Sequence, residues 1–133
     1  PYYLTDGEGT AFVLGGLNMT TRDYARFGQM YLQGGEWNGQ QIVPEDWVEA
    51  STVASAPTAP GKIGYGYQWW VPEGAHEGEF MARGIYGQYI YIDRARGVVI
   101  ATNAADRKFR APGVSQQNID IFRRIATSVS GGA

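Results

Sequence analysis

The amino-acid sequence predicts an α+β domain with N-terminal helices, an antiparallel meander and a C-terminal helix packed on the sheet. Three observations indicate this arrangement. Apolar residues recur with helical spacing over residues 20–33. The runs 89–92 and 98–102 are rich in β-branched and aromatic residues and flank a five-residue loop that ends in glycine, which is typical of a hairpin. Helical spacing returns over residues 115–130.

The first helix is indicated by its ends as well as by its periodicity. Thr20 or Thr21 can accept a hydrogen bond from the free amides of the first turn, and Asp23 suits the positive end of the helix dipole. A glycine pair at 34–35 ends the helix. Tyr24, Phe27, Gly28 and Tyr31 follow the helical spacing and form one apolar face. The glycine-rich residues 1–19 before this helix are expected to be irregular.

Shorter elements follow this helix. The segment 37–39 predicts a turn, and Pro44, with two acidic residues after it, predicts a helix over about 44–52. Residues 54–64 predict a loop, and residues 65–71 a strand with Tyr65, Tyr67 and Trp69 on one face. The polar turn 72–78, which holds His76, leads to a strand over about 79–83.

The C-terminal helix has a clear apolar stripe. This stripe consists of Ile119, Phe122, Ala126 and Val129. Arg123 and Arg124 are expected to face solvent. The helix should therefore bury its stripe on the sheet.

Composition excludes several classes of function. With 133 residues, 44% hydrophobic and 18% charged, the chain predicts one globular domain. A net charge of −2 argues against a nucleic-acid-binding surface. The absence of cysteine excludes disulfides and thiol nucleophiles, and a single histidine excludes a multi-histidine metal site. No apolar run approaches the ~20 residues of a membrane span. No motif implies a cofactor. The sequence is compatible with either a bacterial cytoplasm or a periplasm.

Known nucleophile motifs are missing from the sequence. None of the five serines lies in Gly-x-Ser-x-Gly, and neither lysine, Lys62 or Lys108, follows a serine by three positions. His76 with Glu77 and Glu79 could form a histidine–carboxylate or glycosidase-like pair, but a solvated turn is the favoured interpretation. The chain therefore carries no recognisable activated nucleophile.

Two segments could line a binding site. The face that carries Trp69 could stack on a sugar or line an acyl pocket, and core packing is the alternative. Gly84 and Gly87 precede an aromatic strand and could let a ligand approach backbone amides. An edge strand with a bulge explains the same two glycines equally well.

Four segments, taken in order, resemble the class C β-lactamase-like serine hydrolases, closest to the esterases and 6-aminohexanoate-oligomer hydrolases. They are residues 15–28, 39–48, 64–70 and 84–93, and the first and last are the most specific. The resemblance implies the C-terminal part of the serine β-lactamase and penicillin-binding-protein fold. Residues 1–133 would then form one partial domain. The first residue is Pro1 and the first methionine Met19, so we expect a processed product or a piece of a longer chain.

The resemblance also implies roles for particular residues. The Ser-x-x-Lys and Tyr-x-Asn boxes of the family are missing, and by the order of the family they would lie upstream of Pro1. The third box falls on Ala82, Arg83 and Gly84, so the usual lysine is replaced and Arg83 is its partial substitute. The backbone N–H of Ile85, next to Gly84, would be the second oxyanion donor. Substrate contacts are expected from Arg83, Tyr86, Gln88 and Trp69.

The resulting expectation is the C-terminal portion of a serine hydrolase that cleaves small-molecule esters or amides through an acyl-serine. This segment would supply the oxyanion-side strand and a pocket wall, and it would be inactive alone. Its partner would be the missing N-terminal segment, or else a second copy of the chain. The alternatives are a non-catalytic binding module that kept the fold and a sugar-binding protein that uses the Trp69 face. No cofactor, metal or nucleic acid is expected.

Overall fold

A computed structural model describes residues 1–131 of the chain. The helices are α1 (Thr21–Leu32), α2 (Glu45–Ser51) and α3 (Val114–Ser130), and Ile85–Gly87 forms a 3₁₀ turn. The strands are β1 (Tyr2–Tyr3), β2 (Leu17–Asn18), β3 (Glu36–Trp37), β4 (Gln40–Gln41), β5 (Gly64–Tyr65), β6 (Trp70–Val71), β7 (Glu79–Arg83), β8 (Tyr89–Asp93) and β9 (Val98–Thr102). No helix in this part of the chain is both long and apolar enough to cross a membrane.

A five-stranded antiparallel sheet is the centre of the fold. Its strand order is β5-β6-β7-β8-β9, so each strand pairs with its neighbour in sequence. In the predicted hairpin, Tyr91 pairs with Ile100 and Asp93 with Val98. Every residue of β8 is buried, because strands cover both of its edges and helices cover both of its faces. The predicted α+β meander is confirmed.

The two faces of the sheet pack against different helices. On one face Met30 and Tyr31 of α1 lie against Trp69, Phe80 and Ile92. On the other face, α3 buries Ile119, Phe122 and Ala126 against Met81, Tyr89 and Tyr91. The predicted docking of α3 is confirmed, and α1 adds a third layer that the sequence did not indicate.

Helix α1 begins where its sequence predicts and packs closely on the sheet. The Thr20 hydroxyl accepts from the Asp23 N–H at 3.2 Å, which confirms Thr20 as the cap. Gly28 is buried, and a Cβ added there would lie 2.7 Å from a methyl of Val99 and 2.8 Å from one of Ile90. The missing side chain therefore lets the helix approach β8 and β9 closely.

The prediction of one strand over residues 65–71 is wrong. The chain turns back between Tyr65 and Trp70, which form a cross-strand pair with ring centroids 4.6 Å apart. Gln68 has a φ of +71°, and Gly66 lies against the backbone of Ser51, where a Cβ would not fit. The tight turn overrides the predicted alternation, so Tyr65 packs against Trp70 instead of sharing a face with Trp69.

The turn that holds His76 is not simply solvated, contrary to the favoured interpretation of the sequence. His76 Nε2 lies 2.9 Å from Asp93 Oδ1, and its Nδ1 lies 3.4 Å from Glu79 Oε2. Both carboxylates are fully buried. Arg96 also binds Asp93, at 2.9 Å through its guanidinium. Burial alone would raise the pKa of Asp93, but the hydrogen bonds from His76 and Arg96 outweigh it and hold this pKa below its ordinary value.

Arg123 does not face solvent freely, so that prediction is also wrong. Its guanidinium binds both oxygens of Glu79, at 2.6 and 3.1 Å, and donates to the Glu73 carbonyl at 3.0 Å.

Tyr91 also donates to Glu79. Burial, and then this hydrogen bond, raise the pKa of Tyr91 far above its ordinary value, so the Tyr91 hydroxyl stays a donor. Val129, the last residue of the predicted stripe, is exposed.

Candidate active site

A cavity of about 830 Å³ opens where β7 ends and β8 begins. One wall is the end of β7 with the 3₁₀ turn that follows it. The opposite wall is the segment 13–19, which β2 holds in place by pairing with β1. Tyr24 of α1 and Asn103 after β9 complete the lining. The cavity therefore lies at the segment 84–88 that the sequence singled out.

The turn between β7 and β8 exposes a backbone donor. The Gly84 N–H donates to the Gln88 carbonyl at 2.8 Å, and the Gln88 N–H donates to the Ile85 carbonyl at 3.4 Å. Tyr86 and Gly87 have φ values of +60° and +88°, which reverse the chain within these few residues. Among residues 1–131, the Ile85 N–H makes no hydrogen bond to a backbone or side-chain acceptor.

Apolar side chains frame this turn. Ile85 and Tyr86 are both about half exposed and line the cavity. The Tyr86 ring packs edge-on against Phe109, with centroids 5.3 Å apart. On the opposite wall Val13 and Leu14 are largely exposed. The cavity is therefore suited to an apolar group next to the Ile85 amide.

Gln88 lines the cavity, but its side-chain amide is already engaged. Its Nε2 donates to the Ala104 carbonyl, and its Oε1 accepts from the Ala104 N–H at 3.1 Å. These two hydrogen bonds resemble those between paired residues of a β-sheet, with the Gln88 side-chain amide in place of one backbone. The contact joins the turn to the segment that leaves β9.

The guanidinium of Arg83 lies on the α3 side of the sheet. It stacks over the Trp70 ring at 4.3 Å and donates to the Ser115 hydroxyl at 3.2 Å. There it borders a second cavity of about 410 Å³, together with Phe109 and Arg110. Within the described residues, neither Arg83 nor Arg110 has a carboxylate at ion-pair distance.

The structure corrects the role expected for Trp69. Its ring is only 5% exposed and packs against Tyr31 and Phe80, with centroid distances of 4.6 and 5.1 Å. It lies in the core beneath α1 and lines none of the cavities described above. Since the ring has no free face, it is unavailable either to an acyl group or to a sugar.

The hydroxyl-bearing residues that line the first cavity, among those described, are one threonine and three tyrosines, and the threonine hydroxyl already donates to the Gly87 carbonyl. The lining of this cavity, as far as residues 1–131 provide it, includes no serine, lysine, histidine or carboxylate. Ser115 borders the second cavity and is bonded to Arg83, while His76 lies at the opposite end of β7. The described residues thus supply walls and a backbone donor but no serine nucleophile to this cavity.

No site residue was predicted in the wall formed by residues 13–19, although the resemblance puts the glycine pair at 15–16 on the rim of an active site. The Tyr24 hydroxyl donates to the Leu17 carbonyl at 2.8 Å, and the Asn18 amide donates to the Gly16 carbonyl at 3.0 Å. The first contact fastens the wall to α1, and the second stabilises the wall internally. The glycine pair at 15–16 was the available signal, since a Cβ at Gly16 would meet the backbone of Phe12.

Comparisons with known proteins identify similar chains. A family model described as Beta-lactamase matches residues 2–117. A 6-aminohexanoate-dimer hydrolase of Paenarthrobacter ureafaciens is 34% identical over 104 residues, covering 71% of this chain and 26% of that protein. A solved Bacillus anthracis structure, assigned by its name as a 6-aminohexanoate-dimer hydrolase, superposes with a TM-score of 0.82 at 35% identity. The match covers 96% of this chain and 33% of that structure, so the chain spans a quarter to a third of these relatives.

Proposed function

The chain belongs to the beta-lactamase family, and from that premise we propose that it is the C-terminal portion of a serine hydrolase. The reaction is cleavage of an ester or amide through an acyl-serine intermediate. This segment supplies the oxyanion-side strand and one wall of the pocket. Similarity to two hydrolases over most of the chain supports the proposal.

The unbonded Ile85 N–H is the observation that carries this proposal. Attack on an ester or amide carbonyl places negative charge on its oxygen, and a backbone donor already held in position stabilises that charge. The donor lies on the wall of a cavity with apolar surroundings, where such a hydrogen bond is stronger than in water. Gly84 precedes it without a side chain to obstruct the oxygen.

The nucleophile and its base come from outside these 133 residues. The chain has no Ser-x-x-Lys pair, and its described part of the cavity lining contains no serine, lysine, histidine or carboxylate. We assign both to an N-terminal segment of the same protein. A second copy of the chain is the alternative partner. Tyr2, Leu4 and Leu14 are each more than half exposed, and such apolar surface favours association.

The proposed substrates are small esters or amides with an apolar acyl group. Ile85, Tyr86 and Val13 supply apolar surface, and none of residues 1–131 brings a carboxylate to the cavity lining. Ala82 replaces the cation of the third box, and the Arg83 charge lies towards α3. Recognition of a β-lactam carboxylate through that lysine is therefore lost.

A fluorophosphonate serine probe tests the proposal. We expect no labelling of the 133-residue chain and stoichiometric labelling of one serine in the full-length native protein. Labelling of any of the five serines in the isolated chain would contradict it. An unlabelled full-length protein would favour the alternative, a non-catalytic binding module, which the missing nucleophile also fits.

The oxyanion donor itself can be removed by Ile85→Pro, with Ile85→Val as the matched control. Gly84 is extended, with φ −113° and ψ 178°, so its backbone accommodates a following proline. Loss of one oxyanion donor should slow turnover by roughly 10²–10³-fold in the proline variant alone. Equal rates in both variants would show that Ile85 donates no such bond.

A further inference from the structure

We propose that Gln88 is a positioning residue, which fixes the direction of the Ile85 N–H by clamping the 85–87 turn to Ala104. This inference rests on the proposed function, because it concerns the donor assigned there. It changes the role that the sequence indicated for Gln88, which was direct contact with substrate.

The turn is strained and does not hold itself. Tyr86 has a φ of +60°, a conformation that costs free energy for a residue with a side chain. Such a conformation persists only where surrounding contacts impose it. Within the turn itself, the bond between the Gln88 N–H and the Ile85 carbonyl is long, at 3.4 Å.

The restraining contacts come from the end of β9 and from the chain that follows it. The Asp106 N–H donates to the Tyr86 carbonyl at 3.0 Å, and the Thr102 hydroxyl donates to the Gly87 carbonyl at 3.3 Å. Gln88 makes the only two-point contact of this set, because both ends of its amide bind the Ala104 backbone. Two bonds fix orientation as well as distance.

The stem of Gln88 transmits this restraint to the donor. A Cβ at Gly84 would lie 3.1 Å from Gln88 Cβ and 3.4 Å from its Cγ, so the stem rests against Gly84. The Gly84 N–H also binds the Gln88 carbonyl at 2.8 Å. Gln88 therefore holds the residues on both sides of the Ile85 amide, and losing its side-chain bonds should let that N–H rotate away from the oxyanion.

The kinetic test compares three variants of the full-length native protein. Gln88→Met keeps the stem and loses both bonds, Gln88→Glu keeps the acceptor for the Ala104 N–H, and Gln116→Met replaces an exposed glutamine on α3 as the control. On p-nitrophenyl acetate, butyrate and hexanoate we expect kcat to fall roughly tenfold to hundredfold in Gln88→Met, with KM within about twofold. Gln88→Glu should stay as slow as Gln88→Met, because its carboxylate repels the Ala104 carbonyl that Gln88 Nε2 binds. The control should retain the original rate.

Other kinetic outcomes overturn the proposal. If KM rises and the rise depends on acyl length, Gln88 contacts substrate. If the melting temperature falls while kcat at 25 °C is unchanged, its role is only structural.

Amide hydrogen exchange tests the clamp without any turnover. In Gln88→Met, exchange should accelerate at Gly84 and Asp106, whose N–H groups bond to the turn but not to the Gln88 side chain. Gln116→Met should leave both unchanged. Unchanged exchange at both positions in Gln88→Met would overturn the proposal, whatever the activity. A native protein that hydrolyses no ester would contradict the proposed function alone, since exchange still decides whether Gln88 holds the turn.

Discussion

Replacing Arg123 with methionine should be among the most damaging single changes away from the candidate active site. Glu79 has a fully buried side chain, and Arg123 provides two of the hydrogen bonds that compensate its charge. Leaving a buried carboxylate without its cation typically costs about 3–5 kcal/mol. Tyr91 still donates to Glu79 at 2.8 Å, and His76 Nδ1 stays 3.4 Å away. We therefore expect Arg123→Met to lower the free energy of unfolding by ~3 kcal/mol, which is the lower end of that range.

Urea denaturation at pH 7 measures this loss against two controls. Arg124→Met, one residue along α3 at an exposed position, should change the free energy of unfolding by less than about 0.5 kcal/mol. In a Glu79→Gln background the Arg123→Met change should cost only about 1 kcal/mol, because the buried group is then neutral.

The coupling free energy between Arg123 and Glu79 decides whether the ion pair stabilises the protein. If Arg123→Met costs no more than Arg124→Met, or costs the same with and without the Glu79 charge, then the ion pair is not what holds α3 to the start of β7. The reasoning from burial and charge compensation would then fail.

Two further changes have defined outcomes. Asp93→Asn should destabilise the protein at neutral pH, where the carboxylate binds His76 and Arg96. Because the folded pKa of Asp93 lies below its ordinary 3.8, that stabilisation is present above this pH and is lost as the pH falls through the folded value. The difference in unfolding free energy between wild type and variant should therefore shrink below about pH 4, and a constant difference would contradict this. Thr20→Ala should cost about 1 kcal/mol through the lost cap on Asp23, and Thr20→Ser should restore it in the same denaturation assay.

The local elements were largely predictable because their signals are local. The helix that Thr20 caps, the hairpin of β8 and β9 and the C-terminal helix each carry their own periodicity or turn chemistry. The aromatic run 65–71 gave a wrong prediction of one strand for the same reason, since its signal is also local. Alternation indicates a strand only if the backbone stays extended, and the tight turn at Gly66 and Gln68 interrupts it.

The sequence by itself determined the α+β class and the lack of a Ser-x-x-Lys nucleophile, since these depend on neighbouring residues in the chain. It also predicted a candidate site segment around Gly84, and the resemblance added Ile85 to it. Tertiary structure alone decided which polar groups meet. Arg123 joins Glu79 across 44 positions, and Gln88 reaches Ala104 across 16. It also placed Trp69 in the core and turned the Arg83 charge towards α3. These outcomes depend on which faces the packed layers bring together, and spacing along the chain does not encode the partner of a buried charge.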